Sequence, residues 1–128
     1  MDVYKTHGAF SWSELTTTDP AAAAAFYGSL FGWTMKEMGA QMGDYRVANV
    51  GDTGVAGIMS MPPDAPPMPP HWGCYVTVDD VDATLAQCVA LGGKTLMQPI
   101  DVPTVGRMAV IQDPQGAALS IMQYALAG

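Results

Sequence analysis

The chain has 128 residues, 49% of them hydrophobic, and its twelve acidic and five basic side chains give a formal net charge of −7. This length and composition predict one globular domain with a packed core. The acidic excess repels phosphate backbones, which argues against nucleic acid as a partner. No apolar run is long enough for a membrane span and no export signal is recognisable, so we expect a cytoplasmic protein without a membrane partner.

The first half of the chain reads as a strand, a helix and three more strands. A strand is predicted at residues 10–18, and Asp19 with Pro20 is a favourable start for the helix that follows. Gly32 is predicted to end this helix. The large apolar side chains of the helix are expected to anchor it in the core, and they are Phe26, Tyr27, Leu30 and Phe31. Further strands are predicted at residues 33–38, 45–50 and 55–61.

The second half returns to the same order after a proline-rich segment. Residues 62–70 contain six of the ten prolines, so they are predicted to form an extended connector. A strand at residues 71–79 then precedes a helix that Asp80 caps and that ends near Leu91. The inward side chains of this helix are predicted to be Val81, Leu85, Cys88 and Val89. The last strands are predicted at residues 94–98, 107–112 and 118–123.

The two halves are copies of one pattern. Asp19 and Asp80 are 61 residues apart, and at the same offset Leu30 falls on Leu91 and Gly32 on Gly93. Residues 43–49 similarly match residues 106–112. This self-similarity predicts a single α+β domain made of two βαβββ modules, at about residues 8–61 and 71–124.

Several motifs resemble those of a known family. They are Asp19-Pro20, the run FYGSLFGW at residues 26–33, VDDVD at 78–82, LGG at 91–93, and Gly106-Arg107 followed by DPQG at 113–116. With the module order, they resemble the vicinal oxygen chelate superfamily, which includes glyoxalase I, bleomycin-resistance proteins and extradiol dioxygenases. The two-module glyoxalase-like branch is the most similar. The resemblance implies that the modules close an incomplete barrel around one cleft, and that the protein is a homodimer.

In metal-using members of that superfamily, each module supplies two ligands, one near the start of its first strand and one on its last strand. The matching positions in this chain are Trp12, Gly73, Ser120 and either Ala56 or Ile58. None of these side chains offers the imidazole, carboxylate or thiolate that a divalent ion needs. We therefore expect no metal and no other cofactor.

The alternation of strand side chains predicts which residues reach the cleft. Leu15 suits the side that faces the helix, so Glu14 is expected to point into the cleft. A carboxylate among aromatic and apolar groups is desolvated, which raises its pKa and suits it to acid or base catalysis. Glu14 is therefore the predicted acid/base group, with His71 and Tyr75 as its catalytic partners. A structural role for Glu14 is also open at this point, as a carboxylate that is exposed at the rim of the cleft or bonded to Tyr75, Thr16 or Arg107. A weak metal site rebuilt from Glu14 and His71, with His7, is the alternative.

A small-molecule ligand is predicted to contact the remaining polar, aromatic and apolar side chains of the cleft. These are Trp12, Thr16, Tyr45, Ile58, Thr77, Arg107, Ser120 and Met122. Arg107 is a candidate anchor for an anionic group of the ligand, and pairing with Asp44 or Asp101 is an equal alternative.

Three functions are compatible with these features. The first is a metal-independent enzyme that acts on a small aromatic or carbonyl-containing metabolite through Glu14. The second is a non-catalytic drug-binding or antibiotic-binding protein of the bleomycin-resistance type, and the third is a metal-dependent lyase or dioxygenase. A carboxylate of Glu14 buried beside a proton partner favours the enzyme, whereas a solvated carboxylate at the mouth of an aromatic slot favours the binding protein.

Overall fold

The computed structural model describes residues 1–38, 44–61 and 68–125. Its elements are, in chain order, β1 (Phe10–Thr17), α1 (Pro20–Phe31), β2 (Thr34–Glu37), β3 (Arg46–Val50), β4 (Thr53–Ser60), β5 (His71–Thr77), α2 (Val81–Ala90), β6 (Lys94–Val102), β7 (Gly106–Gln112) and β8 (Ala118–Tyr124). The order βαβββ occurs twice, which confirms the predicted α+β class and its two modules. Most of the predicted connector, residues 62–67, lies outside the described residues.

Both helices begin where the sequence predicts. The Asp19 carboxylate accepts a hydrogen bond from the backbone N–H of Ala22 at 3.0 Å, and Asp80 accepts one from Ala83 at 3.1 Å. These contacts satisfy backbone donors that the first turn of a helix leaves unpaired. Gly32 ends α1 in the left-handed conformation, with φ of 75°, which a residue without Cβ adopts at little cost.

The chain divides into two compact units. The first, Trp12–Gly73, is called here the Glu14 unit. Its strands lie in the order β2, β3, β4, β1; β1 is parallel to β4, and the other pairs are antiparallel. Leu15, Ile58 and Ala24 of α1 form its buried core.

The second unit consists of Met1–Ser11 and Cys74–Gly128 and is called here the Tyr75 unit. Its strands lie in the order β5, β8, β7, β6, with β5 parallel to β8 and the other pairs antiparallel. Beneath α2, the buried core of this unit consists of Val78, Val81, Leu85, Ala109 and Ile121.

Several predicted helix anchors are wrong. Phe26, Leu30 and Phe31 of α1 are exposed, as is Val89 of α2. The buried residues of α1 are instead Pro20 and Ala24. The reason is that small side chains let α1 lie close to its sheet, so the larger side chains project beside the contact rather than into it. No helix in the described part of the chain is both long and apolar enough to cross a membrane.

Candidate functional site

Glu14 lies on the face of the sheet opposite to α1. In the parallel pairing of β1 with β4, Glu14 is opposite Gly57 and Leu15 is opposite Ile58. Leu15 and Ile58 pack against α1, so alternation places Glu14 and Gly57 on the other face. The predicted register of β1 is therefore confirmed.

A chain of hydrogen bonds connects three side chains on this face. The hydroxyl of Tyr45 donates to Oε2 of Glu14 at 2.8 Å, and the indole Nε1 of Trp12 donates to the Tyr45 hydroxyl at 3.1 Å. All three residues are partly buried. The carboxylate of Glu14 is thus held by a phenol whose own position is fixed by an indole.

Gly57 provides the space in which the Tyr45 ring lies. A Cβ built on Gly57 would overlap the hydroxyl oxygen and Cζ of Tyr45, and would lie 3.1 Å from Cε1. Any side chain at position 57 therefore competes with the phenol for the same volume. Gly57 was missed by the sequence prediction, although the spacing of the repeat indicates it, because residues 43–49 match 106–112 at an offset of 63 and this offset relates Ser120 to Gly57.

The prediction that Ile58 contacts a ligand on this face is wrong. Ile58 is fully buried in the core under α1, whereas Glu14 is on the other face of the sheet. The reason is a shift of one residue in the predicted register, which moves a side chain to the other face of a strand. The alternative position, Ala56, is also on the α1 side.

Tyr75 and Met108 form a comparable pair in the Tyr75 unit. The Tyr75 hydroxyl donates to the sulfur of Met108 over 3.9 Å, and Tyr75 is buried. In the pairing of β5 with β8, Ser120 is opposite Tyr75 and Met122 is opposite Thr77, so these four side chains share one face of the sheet. The repeat offsets relate Glu14 to Tyr75 and Tyr45 to Met108. Equivalent positions therefore interact in both units, with different chemistry.

Two predicted ligand contacts show different surroundings. Thr77 is buried, and its hydroxyl donates to the carbonyl of Val3 at 2.6 Å, so the N-terminal segment occupies its polar group. Thr16 is partly buried and lies beside Met59 on the Glu14 face. The position of Thr16 is therefore compatible with the predicted ligand contact. The hydroxyl of Thr77 is not available for such a contact, because it is bonded to Val3.

Arg107 pairs with two carboxylates. Its guanidinium donates to both oxygens of Asp82, at 2.8 and 3.0 Å, and to Asp101 at 3.1 Å. The hydrogen bond from Arg107 lowers the pKa of the Asp82 carboxyl. The alternative of an Asp101 partner is confirmed, whereas Asp44 instead pairs with Arg46 at 2.5 Å. Arg107 and Met108 are neighbours in β7, so the guanidinium lies on the α2 side and away from Tyr75.

The two histidines lie in separate surroundings. His71 is exposed, and its Nδ1 donates to the carbonyl of Pro69 at 3.0 Å. The Nδ1 of His7 accepts a hydrogen bond from the backbone N–H of Asp79 at 3.0 Å. Neither of these contacts involves Glu14.

The side chains of the hydrogen-bonded chain at Glu14 do not form a suitable site for a divalent metal ion. The hydrogen-bonded chain that ends at Glu14 contains one carboxylate, one phenol and one indole. Protein sites for zinc, iron or manganese use several carboxylate, imidazole or thiolate ligands. Within residues 1–38, 44–61 and 68–125, no group of three or more His, Cys, Asp or Glu side chains could hold a metal.

The two-module α+β fold is that of a glyoxalase-like protein. The family model of the Glyoxalase/Bleomycin resistance protein/Dioxygenase superfamily matches residues 9–121. The chain belongs to this superfamily.

Curated relatives share a substantial part of the sequence. The chain is 44% identical over 119 residues to "Putative glyoxylase CFP32" of Mycobacterium tuberculosis, a match that covers 92% of this chain and 45% of that protein. It is 36% identical over 129 residues to "Anthracycline biosynthesis protein DnrV" of Streptomyces peucetius, covering 89% of this chain and 46% of the relative. The chain thus spans about half the length of these relatives.

Solved structures share the fold at low sequence identity. Methylmalonyl-CoA epimerase from Mycobacterium tuberculosis superposes with a TM-score of 0.65 at 16% identity, covering 93% of this chain and 89% of that chain. The Mn(II)-bound glyoxalase from Novosphingobium aromaticivorans gives a TM-score of 0.60 at 18% identity, covering 92% of this chain and 42% of that one. At such identities the likeness establishes the fold and not the activity.

Proposed function

We propose that this protein is a metal-independent enzyme that transfers a proton on a small aromatic or carbonyl-containing metabolite, with Glu14 as the acid/base group. The observation that carries the proposal is the hydrogen bond from the Tyr45 hydroxyl to Glu14 Oε2, on the face of the sheet away from α1. A partly buried carboxylate with a defined orientation is suited to take a proton from a bound molecule and return it. His71 contacts the carbonyl of Pro69 and Tyr75 contacts the sulfur of Met108, so the proposal assigns the acid/base role to Glu14 alone.

The chemistry that fits one carboxylate is proton transfer at a carbon next to a carbonyl group. The carboxylate of Glu14 takes the C–H proton, and the electron pair of that bond moves to the carbonyl oxygen to form an enolate. The carboxylic acid then returns a proton to the same carbon or to another position. No oxidant, reductant or metal is needed to balance this step.

The surroundings of Glu14 favour this function over the non-catalytic alternative. A binding protein of the bleomycin-resistance type would use the carboxylate as a solvated partner for a cationic ligand. Here the side chain is partly buried and hydrogen-bonded to a proton donor. The rings of Trp12 and Tyr45 support binding of a planar molecule in either case. The names of the curated relatives, a glyoxylase and an anthracycline biosynthesis protein, are compatible with a small metabolite.

Hydrogen exchange into acetophenone tests the function without knowledge of the natural substrate. Acetophenone is a small aromatic ketone, and the methyl group beside its carbonyl exchanges protons through an enolate. We expect the purified protein in D₂O to accelerate deuteration of this methyl group, measured by ¹H NMR, in proportion to enzyme concentration. Saturable binding of acetophenone without any exchange would instead support the binding protein.

A second prediction concerns metal content. We expect the dialysed protein to contain no stoichiometric zinc, nickel, iron or manganese, because one carboxylate with a phenol and an indole makes a poor metal site. Elemental analysis measures this, and EDTA should leave the thermal midpoint unchanged. About one metal per chain, lost in the Glu14→Gln or His71→Ala variant, would contradict the prediction.

The third prediction is a homodimer, which we propose as the state in solution. Strands β2 and β6 are edge strands, and exposed edges require covering. Phe26, Leu30 and Phe31 of α1 also expose apolar surface. Light scattering after gel filtration at micromolar concentration should give the mass of two chains. A monomer mass across that range would show the proposal to be wrong.

A further inference from the structure

We infer that Gly57 and Tyr45 act together as positioning residues for Glu14: the missing side chain at position 57 lets the Tyr45 ring cross β4 and hold the carboxylate. The activity part of this inference rests on the proposed function. The geometric part depends only on the contacts between these residues.

The backbone of Gly57 does not itself require glycine. Its φ lies outside the positive range that disfavours L side chains, and it pairs regularly with β1 and β3. An alanine at this position would therefore adopt the same strand conformation. What it would change is the volume above the strand, because its Cβ would overlap the hydroxyl and Cζ of Tyr45.

Displacement of the Tyr45 ring would break two hydrogen bonds of its hydroxyl group. Its hydroxyl donates to Glu14 at 2.8 Å and accepts from Trp12 at 3.1 Å, so the phenol uses both a donor and an acceptor function there. A hydrogen bond to an ionised carboxylate is stronger than one between neutral groups. Moving the ring removes both contacts together, and Glu14 loses a group that fixes its orientation.

Gly73 offers a matched control. It also lies in a strand without a positive φ, and a Cβ at this position would meet only the carbonyl oxygen of Glu14, at 4.0 Å. That distance is ordinary van der Waals contact. Gly73→Ala thus adds the same methyl group near the site without displacing Tyr45.

The geometric test uses the indole N–H of Trp12 as a reporter. The three tryptophans of the chain give three indole signals in a ¹⁵N–¹H spectrum, and Trp12→Phe identifies the relevant one by its loss. We expect Tyr45→Phe and Gly57→Ala to move this signal and to accelerate its exchange with solvent, and Gly73→Ala to leave it in place. Tyr45→Phe retains the ring, so its result stands even if Gly57→Ala folds poorly. An unmoved signal in both variants would overturn the inference.

The activity test uses deuteration of acetophenone. Tyr45→Phe and Gly57→Ala should each lower kcat about ten- to a hundredfold, the effect of losing one charge-assisted hydrogen bond, with KM changed less than about threefold. The double variant should be no slower than the slower single variant, because both changes remove the same interaction, the hydrogen bond from Tyr45 to Glu14. Full activity in both variants, alongside an inactive Glu14→Gln, would refute the positioning role and leave the proposed function intact. Full activity in Glu14→Gln would instead refute the proposed function, while the indole signal still tests the geometry.

Discussion

Glu14→Gln is expected to lower the rate of acetophenone deuteration by about two to four orders of magnitude, the usual contribution of a general base. The amide has nearly the shape of the carboxylate, and its oxygen can still accept the hydrogen bond from Tyr45, but it cannot take a proton from carbon. The dissociation constant of acetophenone should therefore stay within about tenfold of the wild-type value. Exchange rates by NMR and binding by ligand titration measure the two effects separately.

Glu37→Gln is the matched control for this experiment. Glu37 lies in the same unit, but its side chain is largely exposed and its contact is Arg46, at 3.7 Å. The same change of charge there should leave the exchange rate unaltered, because exposed ion pairs contribute little to structure. Equal rates for Glu14→Gln and the wild type would exclude Glu14 as the base.

Ile58→Ala is expected to lower the free energy of unfolding by about 2–5 kcal/mol, because it removes three carbon atoms from a closely packed site. Ile58 is fully buried between β4 and α1, where it contacts Leu15 and Ala24. The cavity would remain largely unfilled because its walls belong to a helix and a sheet. Urea denaturation followed by circular dichroism measures the loss.

Ile100→Ala provides the comparison, since Ile100 is 47% exposed in β6. Its loss of stability should be under about 1 kcal/mol, because little buried area disappears. A milder variant, Ile58→Val, should cost about 0.5–1.5 kcal/mol and leave acetophenone binding unchanged, since Ile58 faces α1. Similar losses at positions 58 and 100, or weakened binding in Ile58→Val, would contradict the placement of Ile58 in the core.

The parts of the fold that follow from local chemistry could be predicted from the sequence. Asp19 and Asp80 bond to the first turns of their helices as expected, and Gly32 has the left-handed conformation. The alternation around Leu15 placed Glu14 on the correct face of β1. These features depend on residues within a few positions of one another, where spacing and side-chain type are sufficient.

The arrangement of the candidate site could not be predicted in the same way. Tyr45 is 31 residues from Glu14, and their hydrogen bond depends on how β3 and β4 are registered. A bulge between Ala48 and Asn49 changes that register, and no local pattern indicates it. The partner of Arg107 was also only half foreseen, because Asp82 comes from the start of α2 and is brought close by packing.

The pairs Glu14–Tyr45 and Tyr75–Met108 occupy corresponding places in the two modules. Such correspondence is expected of an internal repeat, because equivalent positions lie on equivalent strands and can carry different side chains. The Glu14–Tyr45 pair consists of an acid and a phenol, which can exchange a proton. The Tyr75–Met108 pair consists of a phenol and a thioether, which is better suited to packing. Substitutions at the Tyr75–Met108 pair can therefore introduce new chemistry without changing the Glu14–Tyr45 pair.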